Sequence, residues 1–245
     1  AWNGRYFYQA NGGIDGSVVT ATGPNSGGAP VSNALQMGFA VLSSDAGHSG
    51  PPWWGIDPQA RLDYGYQAGG SLTPMAKNLI KVAYGKAPDR SYFGGCSNGG
   101  RHAIIAAARY SDQYDGILAG APGFHLPKAA TAQLWKVQQY ASIASGTVTT
   151  GADAGQPDIT TAVTPAEFKL LGERIVAKCD ALDAATDGIV ADIKACQGAF
   201  NIKTDVATCS GARDGTCLTD AQKTVLGDIL AGAKHRQGEA PYANS

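Results

Sequence analysis

Ser91-Tyr92-Phe93-Gly94-Gly95-Cys96-Ser97-Asn98-Gly99-Gly100 is the stretch on which the fold turns. Ser91 to Phe93 read as the end of a buried strand, and Arg101 to Tyr110 (Arg-His-Ala-Ile-Ile-Ala-Ala-Ala-Arg-Tyr) read as a helix. Between them Gly95-Cys96-Ser97-Asn98-Gly99 fits Gly-x-Ser-x-Gly, the sharp turn that lifts a serine nucleophile above a sheet edge. Such a turn needs glycine at its flanks, where a Cβ would strike strand or helix. The serine then stands at a helix N-terminus, where the helix dipole and the free backbone N–H of Asn98 stabilise a negative oxygen. The pentapeptide alone recurs by chance in chains rich in glycine and serine. The strand before it and the helix after it select a nucleophile, Ser97, over a plain strand-to-helix turn.

Working outward, 245 residues suffice for one sizeable α/β domain or for a core plus an insertion. A net charge of −1, with only 16% charged residues, gives no nucleic-acid footprint and no polybasic membrane patch. No apolar run approaches the ~20 residues that a bilayer span needs. The chain opens Ala1-Trp2-Asn3-Gly4, without the basic start of a secretory leader. The 33 glycines and the small number of lysines and arginines nevertheless suit a loop-rich secreted enzyme, its leader already removed or lying upstream of this start. Five cysteines are an odd number, which in a secreted protein leaves one without a partner inside the chain. Four lie late, at Cys179, Cys196, Cys209 and Cys217, and the fifth, Cys96, adjoins Ser97.

Arg5 to Gln9 is aromatic and β-prone, and Asn11-Gly12-Gly13-Ile14-Asp15-Gly16 breaks it. Phe39 to Ser44 and Gly116 to Ala121 read as short buried parallel strands. Ser71 to Tyr84 reads as a helix, with Met75, Leu79, Ile80 and Ala83 expected on its inner side. Strands alternating with helices predict a parallel sheet with helices on both faces. After about Pro122 the character changes. Residues 128–145 predict a helix and 146–163 an extended loop. Thr164-Pro165-Ala166-Glu167 and Thr219-Asp220-Ala221-Gln222 are capping boxes that each open a helix. The expected organisation is therefore α/β, with a sheet core over 1–125 and a mostly helical insertion over 126–245.

Two more stretches carry chemistry. Cys179-Asp180-Ala181-Leu182-Asp183-Ala184-Ala185-Thr186-Asp187-Gly188-Ile189 places three carboxylates within eight residues, beside a glycine that turns the chain. Hard oxygen ligands of this kind suit calcium, although the spacing is not that of an EF-hand, and a solvated acidic loop is the alternative. A structural ion is expected rather than a catalytic one. Trp53-Trp54 read either as an aromatic wall for a substrate or as packing residues.

Gly95-Cys96-Ser97-Asn98-Gly99-Gly100-Arg101, followed by Tyr114-Asp115-Gly116-Ile117-Leu118-Ala119-Gly120-Ala121-Pro122, resembles the tannase and feruloyl esterase family. Asn3-Gly4-Arg5-Tyr6, Gly12-Gly13-Ile14-Asp15-Gly16 and Ser44-Asp45-Ala46-Gly47-His48 resemble its upstream motifs, so the likeness runs over essentially the whole chain. The resemblance implies an α/β-hydrolase with a large lid inserted after the elbow half of the sheet. It implies hydrolysis of esters of aromatic acids, such as gallate, ferulate and terephthalate esters; the family includes the hydrolase of mono(2-hydroxyethyl) terephthalate. A general lipase or acyltransferase, or an inactive binding fragment, are the competing readings on the same fold.

The resemblance also assigns residues. Gly13 becomes the second oxyanion donor beside Asn98. Asp180, Asp183 and Asp187, with the carbonyls of Ala185 and Ile189, become a lid calcium site. Cys179 is expected to pair with Cys196 and Cys209 with Cys217, out of three pairings that four cysteines allow. Cys96 becomes the family's cysteine that bonds to one before the catalytic histidine. That histidine and its aspartate follow the lid in the family, whereas this sequence stops at Ser245, within the expected lid. None of His48, His102, His125 and His235 takes the place of the base in the Ser…Asp…His order. The base and the acid are therefore expected on a missing or second polypeptide, disulfide-linked through Cys96.

Overall fold

Four short segments rich in aromatic and aliphatic residues form the sheet, and the computed structural model, which describes residues 1–24, 32–50 and 52–240, shows how they pair. The strands are β1 (Arg5–Ala10), β2 (Ala40–Ser43), β3 (Arg90–Cys96) and β4 (Gly116–Gly120), all parallel, in the order β2-β1-β3-β4. Tyr8 lies opposite Leu42 on one side and Phe93 on the other, which sets the register. After β1 the chain moves to β2 on one side. It then crosses to β3 on the other side by way of α1 (Pro58–Leu62) and α2 (Ala68–Tyr84), and α3 (Asn98–Arg109) leads on to β4. The order in which strands are added thus reverses between β1 and β3. The loops leaving the carboxyl ends of those two strands border the crevice in which open α/β sheets bind ligands.

Side chains alternate across a strand, so Tyr6 and Tyr8 share one face with Phe93. There they pack with Ala76 and Ile80 of α2 and Ala103 and Ala106 of α3, and the Tyr8 and Phe93 rings stack 4.5 Å apart. Helices on both faces were expected from the strand–helix alternation; α2 and α3 instead share this one face. On the other, Phe7, Phe39 and Tyr92 line a groove of about 300 Å³ with Leu118, which is exposed. The inner side of α2 also differs from expectation. Thr73, Ala76 and Ile80, at i, i+3 and i+7, are buried, while Met75 and Leu79 are exposed. A step of 100° per residue centres the two sets about 110° apart, so Met75 and Leu79 fall on a flank turned away from the sheet, and the small residues let the helix approach the sheet.

By internal contacts the chain divides into Ala1–Phe124 and His125–Ser245; residues 241–245, at the end of the expected insertion, lie outside the described ones. The second unit holds α4 (Leu126–Ala141), α5 (Pro165–Cys179), α6 (Ile193–Ala199), α7 (Ile202–Asp205) and α8 (Asp220–Ala231). Both capping boxes are formed, at Thr164/Glu167 and Thr219/Gln222. Among its described residues there are isolated bridges, Thr147 with Pro157 and Thr208 with Leu218, but no strand. Val163, Leu170, Leu171, Ile202, Leu218 and Leu226 form its core.

Glu167, with a fully buried side chain, does more than cap α5. Its carboxylate accepts from Arg213 Nε at 2.7 Å and Nη2 at 2.6 Å, from Gln222 Nε2 at 3.0 Å and from Thr164 N at 2.8 Å. The Arg213 hydrogen bonds hold its pKa down at about 2 against the opposing effect of burial. Cys179 is bonded to Cys196 and Cys209 to Cys217.

Candidate active site

Ser97 sits between β3 and α3 with φ 58° and ψ −119°, a conformation that costs an L-residue of order 1–3 kcal/mol. Its surroundings hold it there. Ser97 N donates to Gly120 O at 3.0 Å, and Ser97 O accepts from Arg101 N and from Gly123 N, each at 3.0 Å. The flanking glycines are sterically required. A Cβ on Gly95 would lie 2.5 Å from Ala10 O, on Gly99 2.4 Å from the same oxygen, and on Gly100 2.4 Å from Gly120 O. Every one of these obstacles is backbone, so nothing can swing aside. The outcome is an exposed serine at the carboxyl end of the sheet, followed by a buried Asn98. Asn98 is the first residue of α3, where a backbone N–H has no intrahelical acceptor.

The loop after β1 lies against this turn. A Cβ on Gly12 would be 3.9 Å from Cys96 O, and one on Gly99 would be 3.1 Å from Asn11 O. Gly13 has φ +66° and open space where a side chain would be. Gly13 and Asn98 thus belong to two backbone segments in direct contact at the mouth of the crevice.

A polar network that no spacing in the sequence signals joins the two segments. Asp15 Oδ2 accepts from Asn98 Nδ2 at 2.6 Å and from His102 Nε2 at 2.8 Å. Asn98 Oδ1 in turn accepts from Tyr64 Oη at 2.9 Å and Arg101 Nε at 2.8 Å. The Arg101 guanidinium lies 4.3 Å above the Tyr64 ring, and burial raises the Tyr64 pKa against the lowering effect of Arg101. With its Nε2–H directed at Asp15, His102 uses Nδ1 to accept from Arg101 Nη2 at 3.3 Å. Both ring nitrogens are therefore engaged by residues other than the serine. Asp15, Tyr64, Arg101 and His102 were not singled out from the sequence as site residues. They meet only because the β1 loop, the turn before α2 and the first turn of α3 converge.

His48 donates from Nε2 to Ile14 O at 2.8 Å, and its ring stacks on Trp54 at 3.9 Å. Trp54 packs against the His48 and Tyr64 rings, while Trp53 is 74% exposed. His125 is the residue before α4 in the second unit, and His235 lies in an exposed segment of that unit. Cys96 ends β3, half-buried and without a disulfide partner among the described residues.

In the acidic loop, Asp180 Oδ1 accepts from Gly188 N at 2.9 Å, and Asp187 Oδ1 accepts from Ile189 N at 3.0 Å. Asp183 accepts from Ala185 N at 3.0 Å and Ala191 N at 2.7 Å, and these bonds, the Ala191 one foremost, lower its pKa. Among the described residues no three His, Cys, Asp or Glu side chains converge as a ready-made metal cage. The donor set itself, carboxylates and carbonyls only, is of the hard-oxygen kind that suits calcium.

Comparison with known proteins bears on what this arrangement is for. The model of the "Tannase and feruloyl esterase" family matches residues 1–244. Mono(2-hydroxyethyl) terephthalate hydrolase from Piscinibacter sakaiensis is 39% identical over 98% of this chain and 42% of its own length. A probable feruloyl esterase B-1 from Neosartorya fischeri is 29% identical, again over 98% and 42%. The crystal structure of feruloyl esterase B from Aspergillus oryzae superposes with a TM-score of 0.75 at 26% identity, covering 99% of this chain and 45% of that one. The chain thus spans about two fifths of the length of the curated relatives it matches, and its fold is that of an α/β-hydrolase. With a family model extending from residue 1 to residue 244, the chain belongs to the tannase and feruloyl esterase family.

Proposed function

We propose that this chain is the nucleophile-bearing part of a serine hydrolase for carboxylic esters of aromatic acids. The observation that carries the proposal is the exposed Ser97, held in its strained turn against the Gly12–Gly16 loop at the carboxyl end of the sheet. Ser97 Oγ attacks the ester carbonyl carbon, and the tetrahedral oxyanion is stabilised by the N–H groups of Asn98 and Gly13. Collapse expels the alcohol and leaves the acid esterified on Ser97; attack by water then releases the acid. A base must take the Ser97 proton and return it to the leaving alcohol. With His48 and His102 committed to Ile14 and Asp15, that base and the aspartate orienting it are assigned to polypeptide outside these residues, tied to the turn through a disulfide from Cys96.

The substrate class follows the relatives, whose names give a terephthalate monoester and feruloyl esters. The second unit is assigned as the lid domain. Its acidic loop is assigned a structural calcium ion held by Asp180, Asp183 and Asp187 and the carbonyls of Ala185 and Ile189. The ion would pin the loop and takes no part in the chemistry. Two disulfides, and the absence of a helix long and apolar enough to cross a membrane among the described residues, support secretion.

The test is hydrolysis of mono(2-hydroxyethyl) terephthalate, methyl ferulate and methyl gallate by the enzyme that carries this chain, with Ser97→Ala beside it. At least one aromatic ester should be turned over, and Ser97→Ala should lower kcat by on the order of 10⁴–10⁶. Activity of Ser97→Ala within tenfold of the parent sinks the assignment. Failure of the parent to bind a fluorophosphonate at Ser97 counts equally against a competent nucleophile.

A further inference from the structure

The geometry points to Asp15 as a positioning residue that locks the two oxyanion donors at a fixed separation; this inference rests on Ser97 being the nucleophile. Two N–H groups from different segments stabilise one oxygen only if both stay within about 2.7–3.1 Å of it. Asn98 is fixed by α3. Gly13 is not fixed by any regular structure. Its loop has left-handed backbone at Gly13, Asp15 and Gly16, and its internal bond, Asp15 N to Gly12 O, is long at 3.4 Å. A loop so rich in glycine drifts unless something outside it holds it.

Backbone bonds tie only the end of the loop, from Gly16 N to Asp45 O at 3.2 Å and from Gly50 N to Gly16 O at 3.4 Å, and the hold towards α3 comes from side chains. Asp15 projects a carboxylate with a 2% exposed side chain out of the loop and into the first turn of α3. There it takes hydrogen bonds from Asn98 and His102, 83 and 87 residues further along. Asn98 is the same residue whose backbone N–H is the other donor, so the Asp15–Asn98 bond at 2.6 Å links the two halves of the oxyanion site. His48 steadies the neighbouring position by donating to Ile14 O. A buried carboxylate and a non-glycine residue at φ 57° are both unfavourable in a loop that had only to close off the crevice. Their presence is accounted for by a demand on geometry.

The test compares Asp15→Ala, Asp15→Asn and His102→Gln with the parent and with Ser97→Ala in the active enzyme. Three quantities are read: kcat, KM and the affinity for phenylboronic acid, which forms a tetrahedral adduct on a serine. Asp15→Ala should lower kcat by on the order of 10²–10³, the loss typical of one missing oxyanion donor. KM should stay within about threefold, and the boronate Kd should rise in parallel with the fall in kcat. His102→Gln, which keeps an N–H donor for Asp15, should retain most of the activity, and Asp15→Asn should fall between. The inference is overturned if folded Asp15→Ala keeps kcat within fivefold. It is also overturned if kcat falls while boronate affinity does not, because that pattern reports general loosening rather than lost oxyanion geometry. Where Asp15→Ala fails to fold, the same criteria apply to Asp15→Asn. If Ser97→Ala remains active, the nucleophile assignment itself has failed, and that result is separate from either outcome at Asp15.

Discussion

Exchanging Glu167 for glutamine removes one negative charge from the centre of the second unit while changing its shape hardly at all. Glutamine also serves at the third position of a capping box, so the bond to Thr164 N survives, while the amide N–H2 takes the place of the oxygen that accepts from Arg213 Nε, and the charge is lost together with that bond. In the folded protein the Glu167 pKa is about 2, against an ordinary value of 4.5, chiefly through its hydrogen bonds from Arg213. A depressed carboxylate contributes stability that is fully present above the unfolded value and is lost as pH falls through the folded one. Here the window runs from about pH 4.5 down to about pH 2. A shift of this size corresponds to about 3 kcal/mol, trimmed by solvent reaching Arg213, whose side chain is 30% exposed. Glu167→Gln should therefore unfold in urea with a free energy about 2–3 kcal/mol below the parent at pH 7. The gap should narrow steadily below pH 4.5 and close near pH 2, where the parent carries a proton at the same place. Urea titrations at pH 7, 4, 3 and 2 measure this directly. A gap that stays constant across the series, or that is below about 0.5 kcal/mol at pH 7, refutes the argument that the Arg213–Glu167 charge pair stabilises the fold.

Other outcomes follow from the same geometry. Gly99→Ala places a methyl carbon 2.4 Å from Ala10 O, so the elbow must shift; a loss of about 1–3 kcal/mol in thermal or urea unfolding and the disappearance of fluorophosphonate labelling are expected. Retained labelling at parental rates would show that the turn tolerates a side chain there. Replacing Cys179 and Cys196 together by serine opens a loop of 17 residues and should cost about 3 kcal/mol; a melting temperature equal to the parent's contradicts this. Removing calcium with a chelator should lower the melting temperature of the parent, and restoring it should reverse the change. Asp183→Asn should abolish that response, and a parent indifferent to calcium and chelator alike would end the calcium assignment.

The parts legible in the sequence were local. The Gly-x-Ser-x-Gly turn announces itself because its steric demands fall on residues one or two positions from the serine. The capping boxes at Thr164 and Thr219 close over three residues. The strands over 90–96 and 116–120 show as short runs between a helix signal and a turn signal. Less legible was the start of α2 at Ala68, since Gly69-Gly70 argues against a helix by propensity. The structure keeps Gly70 because a Cβ there would lie 2.5 Å from the Tyr110 ring, a packing demand set by a residue 40 positions away.

What the sequence determined by itself is the serine turn, the glycines that make it possible, and the family to which they belong, because those glycines lie within a few positions of Ser97, although the backbone they leave room for, Ala10 O and Gly120 O, is distant along the chain. The tertiary structure decided which loop faces Ser97. The order β2-β1-β3-β4 sets β1 beside β3, so that the Gly12–Gly16 loop leaves the sheet next to Ser97 and Asp15 meets Asn98 and His102. Hydrogen bonds between residues more than eighty positions apart have no period and no motif. They exist only once the sheet has closed the distance, and the geometry of the candidate site depends on them.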